Sequence, residues 1–116
     1  MKRIEAIIRP HKVPMVLTAL AEFGITNVTV LETLGMARQI TFSRIYEAAS
    51  PNREMQTGLI PKRMLLIFTE DALVQPVVDL IQKTARTGEA GDGKIAVSEL
   101  VQITRIRPKV KAAAAK

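Results

Sequence analysis

Strand-like and helix-like runs of apolar residues succeed one another along this chain in an order that few folds can accommodate. Lys2 to Arg9 carries Ile4, Ala6, Ile7 and Ile8 and is stopped by Pro10, which reads as a buried strand. From Pro14 the spacing turns helical through Val16, Leu17, Leu20, Ala21 and Phe23, with Gly24 positioned as a C-cap. A second strand is expected from Asn27 to about Met36, through Val28, Val30, Leu31 and Leu34. Met64-Leu65-Leu66-Ile67-Phe68 is a short continuous apolar run, read as a central strand. Ala72, Val74, Val77, Val78, Leu80 and Ile81 form a second helix ending near Thr84 to Arg86, and Ile95, Val97 and the stretch Val101 to Ile106 supply the closing strands.

That order, βαββαβ, predicts an α+β domain of the ferredoxin-like kind, an antiparallel sheet with both helices on one face. Strand residues are apolar on both sides, so the face away from the helices is expected to pack against further copies of the chain. The 116 residues make one domain, able to bury roughly two-thirds of its unfolded surface. Its aromatics are only Phe23, Phe42, Phe68 and Tyr46, so the core must be aliphatic, and stacking platforms for single-stranded nucleic acid are missing. There is no cysteine, which excludes disulfides and thiolate metal sites. Met1 to Glu5 lacks the apolar region of a secretory leader, and no apolar run approaches the about 18 residues of a membrane span. A soluble, cytoplasmic protein is expected.

Seventeen Lys and Arg against eleven Asp and Glu give a net charge of +6, a balance that suits a polyanionic ligand. The basic residues gather at Arg105, Arg107, Lys109 and Lys111 and in a central group of Arg38, Arg44, Arg53, Lys62 and Arg63. No helix carries a basic face with base-reading residues, so nucleic acid is not the expected partner. A few convergent charges fit a compact phosphate better. Thr87-Gly88-Glu89-Ala90-Gly91-Asp92-Gly93-Lys94 follows the second helix and has the composition of a phosphate-wrapping loop: glycine permits close approach of amide donors, and lysine adds a point charge. It is not a P-loop, because Ile95 rather than Ser or Thr follows the lysine. On its own it also reads as a tight turn with a glycine C-cap. Residues 37 to 61 hold Pro51, Gly58 and Pro61 without sustained periodicity, the mark of a functional or mobile excursion. The Lys- and Ala-rich tail, residues 109–116, is expected to be disordered.

Taken together, Ile4-Glu5-Ala6-Ile7-Ile8-Arg9-Pro10, Gly24-Ile25-Thr26, Gly35-Met36-Ala37-Arg38-Gln39, Ala85 to Ile95 and Arg105-Ile106-Arg107 resemble the PII nitrogen-signalling family in order and spacing, over residues 1 to 107. The resemblance implies a non-enzymatic signal transducer built as a homotrimer, with domain boundaries of 1–108 and a partner-engaging T-loop at about 37–60. It implies ATP and ADP competing for clefts between subunits, Mg²⁺ entering with ATP, and 2-oxoglutarate joining in many members. The residues it assigns to these ligands are Arg9, Thr29, Ala37, Arg38, Gln39, Lys62, Thr87, Gly88, Gly91, Asp92, Gly93, Lys94, Arg105 and Arg107. Within that set Thr29 meets the adenine, Gln39 ligates the metal and 2-oxoglutarate, and Arg9 and Lys62 lie near the latter. The partner is expected to be a membrane transporter or a metabolic enzyme. The charge pattern agrees, since Lys94, Arg105 and Arg107 can neutralise a triphosphate.

Departures from the family pattern collect in the T-loop. Ala37, Ile40, Thr41 and Phe42 stand where Gly, Lys, Gly and His are common, and the stretch from Ala49 to Pro61 is longer than usual. Pro51 falls where many bacterial members carry the uridylylated tyrosine, while Tyr46 matches a different one, so uridylylation is not implied. A PII branch associated with heavy-metal efflux also lacks the usual loop, and membership of it, sensing nucleotides without 2-oxoglutarate, is an alternative the resemblance leaves open, although the lone His11 and the absence of cysteine give no obvious metal site. A slow ATPase is the alternative from another class; Asp92, Glu47 and Glu54 do not make a convincing catalytic set for it.

Overall fold

The computed structural model describes residues 1–38 and 57–107; Gln39, most of the T-loop span and the 109–116 tail lie outside the described residues. Strand β1 (Lys2–Ile8) leads through a 3-10 turn (Pro10–Lys12) into helix α1 (Val13–Phe23). Strands β2 (Thr29–Arg38) and β3 (Thr57–Thr69) follow, then helix α2 (Asp71–Ala85) and strand β4 (Gly93–Glu99). The sheet is antiparallel throughout in the order β2-β3-β1-β4, the topology the apolar pattern requires. Among the described residues no helix is long and apolar enough to cross a membrane.

Period-2 alternation on β1 sends Ile4, Ala6 and Ile8 to the helix side, where they join Leu65 and Ile67 of β3, Val16 and Leu20 of α1, and Val77, Ile81 and Ala85 of α2. The register aligns Ala6 with Leu65 on one side and Ile95 on the other, and Ile4 with Ile67 and Val97, so each layer of the core crosses three strands. Opposite them, Ile7, Met64 and Leu31 form one row of the bare face and Glu5, Leu66 and Thr29 the next. Leu31 and Phe68 are each 41% exposed there, an apolar surface that the described residues leave uncovered.

Two elements differ from the sequence expectation. The β2–β3 ladder continues well past the sheet's centre, from Thr29 opposite Leu66 to Arg38 opposite Thr57, through a stretch containing Gly58 and Pro61. Pairing of β3 with β1 ends at Arg63, so Pro61 sits where β3 has become an edge and a residue without an N–H donor is tolerated. The expected strand from Val101 to Ile106 does not form. Leu100 donates to the Met1 carbonyl at 3.3 Å, and the chain beyond it is irregular, with Val101 and Ile106 fully exposed. No turn separates it from β4, so it cannot fold back onto that strand's free edge.

Gly93 shows how closely the loop before β4 is pressed to the sheet. Its φ is 119°, and an added Cβ would lie 1.8 Å from the Ile7 carbonyl oxygen. Gly93→Ala should therefore destabilise the protein by more than about 3 kcal/mol through combined backbone strain and overlap. Urea denaturation of the two proteins measures it; an unchanged midpoint would mean that this approach is not rigid.

Candidate functional site

Pro10 stops β1 so that Arg9 emerges at the end of the central strand, on the bare face beside Lys62 of β3. Both side chains reach the loop that joins α2 to β4. Arg9 Nε donates to Asp92 Oδ1 at 3.1 Å and Arg9 Nη2 to the Ala90 carbonyl at 2.7 Å. The Lys62 ammonium donates to the Gly91 carbonyl and is itself buried. Burial, and then the charge of Arg9, push the Lys62 pKa down, with Asp92 acting in the opposite direction. Two cations of adjacent strands are thus held together by carbonyls and a carboxylate of one loop.

Inside the loop Asp92 is the organiser. Its Oδ2 accepts the Thr87 amide at 2.8 Å and the Gly88 amide at 3.0 Å, while its Oδ1 accepts the Thr87 hydroxyl as well as Arg9. The Glu89 amide in turn donates to Thr87 Oγ1 at 3.1 Å. These bonds, led by the Thr87 hydroxyl, hold the Asp92 carboxyl well below the usual carboxylate range. Gly91, at φ 92°, provides the left-handed turn that aims its carbonyl at Lys62.

Behind the loop an open cleft of about 380 Å³ runs between the last turns of α2 and the start of β4. Its apolar wall is Ile8, Val78, Ile81, Ala85 and Ile95, and its polar rim is Gln82, Arg86, Asp92 and Lys94. Lys94 is exposed on β4, opposite Ile7. The structure therefore brings together Arg9, Lys62, Thr87, Gly88, Gly91, Asp92, Gly93 and Lys94.

Other expected site residues are elsewhere. Thr29 is exposed on β2, the opposite edge strand, three inter-strand spacings or about 14 Å from β4. Ala37 and Arg38 end the β2 ladder opposite Gly58 and Thr57. Arg105 and Arg107 are exposed in the irregular segment after β4 and do not line the cleft. Gln39 falls outside the described residues. Thr87, Gly88 and Asp92, expected in the ligand-binding set, are also bonded to one another through the Asp92 carboxylate, an arrangement not read from the sequence; the threonine five residues before an aspartate was the available signal. It also missed the α2 wall, which was legible only as core periodicity.

Comparison with known proteins decides the family. The family model described as "Nitrogen regulatory protein P-II" matches residues 1–110. The nitrogen regulatory protein P-II 1 of Escherichia coli (strain K12) is 43% identical over 107 residues, covering 92% of each chain. The P-II proteins of Klebsiella oxytoca and Azospirillum brasilense, at 43% and 41% identity, match with the same coverage. The chain belongs to the P-II nitrogen regulatory protein family. As a P-II protein it is a regulatory, signal-transducing molecule, and its ferredoxin-like subunit and glycine loop are read in that light.

The pH response of this loop follows from Asp92. A carboxyl with a depressed folded-state pKa makes its full contribution to stability above the unfolded value, near pH 4, and loses it as pH falls below that. Between about pH 4 and pH 2 the thermal midpoint of the parent should therefore fall further than that of Asp92→Asn, which has no proton to take up there. Parallel curves for the two proteins would contradict the clamp.

Proposed function

We propose that this P-II protein is a non-enzymatic sensor that binds ATP or ADP in clefts between the subunits of a homotrimer and passes its state to a membrane transporter or metabolic enzyme through the T-loop. The observation that carries the reading is the loop before β4: its aspartate is matched internally by Arg9 and by the Thr87 and Gly88 amides, and Lys94 next to it is exposed to an incoming anion. Thr29 on the opposite edge, and the exposed Arg105 and Arg107, would complete such a site only from a neighbouring copy. The uncovered apolar face of the sheet supports association of copies.

In this reading Ala37, Arg38 and Gln39 lie where the nucleotide meets the T-loop. Gln39 would ligate Mg²⁺ that enters with ATP, supplying charge that the diphosphate of ADP lacks, and would meet 2-oxoglutarate together with Arg9 and Lys62. Differential contacts to the γ-phosphate are what allow ATP and ADP to favour different T-loop states. Asp92 is saturated by four donors and is not free to act as a general base, which favours a sensor over a slow ATPase.

Calorimetry with ATP, ADP and adenosine, with and without Mg²⁺ and 2-oxoglutarate, tests the ligand assignment. Lys94→Ala should weaken ATP by about 2–4 kcal/mol, the range for charge-assisted bonds in a partly buried cleft, and leave adenosine nearly unaffected. An equal loss for both would remove the phosphate role. Light scattering should give a trimeric mass; a stable monomer would rule out a site built from two chains.

A further inference from the structure

An aspartate in the middle of a loop that meets a polyphosphate is, on charge alone, out of place there. Hydrogen-bond geometry resolves the conflict. A carboxylate offers about four lone-pair sites, and those of Asp92 meet the Arg9 guanidinium, the Thr87 hydroxyl and the amides of Thr87 and Gly88. Its negative charge is matched by Arg9 at 3.1 Å, and although the side chain is partly exposed, its lone pairs are taken by these four donors. Thr87 is equally committed, because its hydroxyl donates to Asp92 while its oxygen accepts the Glu89 amide. Neither side chain has a donor left for a phosphate.

We propose that Asp92, acting through Thr87, is the positioning residue of the nucleotide loop: it touches no phosphate, and by closing the ring from Thr87 to Asp92 it fixes the backbone of Gly91 and Gly93 and the place of the exposed Lys94 next to them. This rests on the nucleotide-binding reading above and refines it, since it withdraws the Thr87 and Asp92 side chains from direct ligand contact. Arg9 anchors the ring to the end of β1, and the Ala90 and Gly91 carbonyls, held by Arg9 and Lys62, keep it from rotating. Asparagine cannot replace the carboxylate. Its one oxygen can serve the two amides or the Arg9 side, and its NH₂ group then faces N–H donors on the other.

The test uses the full-length assembled protein and isothermal calorimetry with ATP and with adenosine, each in Mg²⁺ and in EDTA. It compares the parent, Asp92→Asn, Thr87→Val and the double variant, with thermal midpoint and mass recorded for each. Asp92→Asn should weaken ATP about tenfold or more and Thr87→Val by less, with adenosine unchanged for both. The double variant should bind no worse than Asp92→Asn, because the two residues act through one ring. The loss should be the same with and without Mg²⁺. A loss confined to Mg²⁺ would make Asp92 a metal ligand, and additive losses would make the two residues independent contacts; either overturns the proposal, as does an Asp92→Asn protein that binds ATP like the parent. If Asp92→Asn does not fold, Thr87→Val decides alone, and unchanged ATP affinity overturns the positioning role. A parent that binds no ATP defeats the nucleotide reading itself, an outcome distinct from all of these.

Discussion

The ion pair between Arg9 and Asp92 ties together parts of the chain 83 residues apart, and the arrangement of the site depends on it. Arg9 is where it is because β1 is a central strand ended by Pro10; Asp92 is where it is because β4 pairs with that same strand from Gly93 onward. Sheet topology therefore sets the loop's position, and the hydrophobic layers of Ile4, Ala6 and Ile8 set the topology. The pair is partly exposed, so its energetic worth is modest. Its importance is geometric: it makes one rigid object of the strand end and the loop.

Charge is distributed in keeping with that object. Arg9 and Lys62 point inward and are matched by Asp92 and by the carbonyls of Ala90 and Gly91. Lys94, Arg105 and Arg107 are exposed. With Asp92 matched by Arg9, the other loop acid, Glu89, stays exposed, and the chain's excess of basic residues keeps its net charge positive toward an anion. Lys62, its pKa lowered by burial and then by the like charge of Arg9, sits in the same small region as an Asp92 carboxyl held low first by the hydrogen bonds of Thr87.

Much of this was legible in the chain itself. Apolar period gave the order of strands and helices, Gly24 and Arg86 marked helix ends within a residue, and the glycine loop stood out together with the motifs that place the chain in the P-II family. What was not legible has physical causes. Gly58 and Pro61 read as breakers, yet an edge position removes the cost of a missing donor, and the β2–β3 ladder runs through them. Val101 to Ile106 has strand-like residues but pairs with no strand among the described residues. The role of Asp92 escaped because a sequence shows which donors and acceptors are present, not which way they point.

We propose that this loop is the phosphate end of a nucleotide site whose remaining charges come from a second copy. Coexpression of Lys94→Ala chains with chains carrying Arg105→Ala and Arg107→Ala, under two affinity tags, tests it most directly. Neither variant alone would bind ATP tightly, but a mixed trimer would contain a cleft that pairs an intact Lys94 with an intact arginine pair from its neighbour. Tight ATP binding should return in the doubly purified mixed trimers. Mixed trimers that bind no better than either parent variant would contradict it, because the three cations would then have to act within one chain.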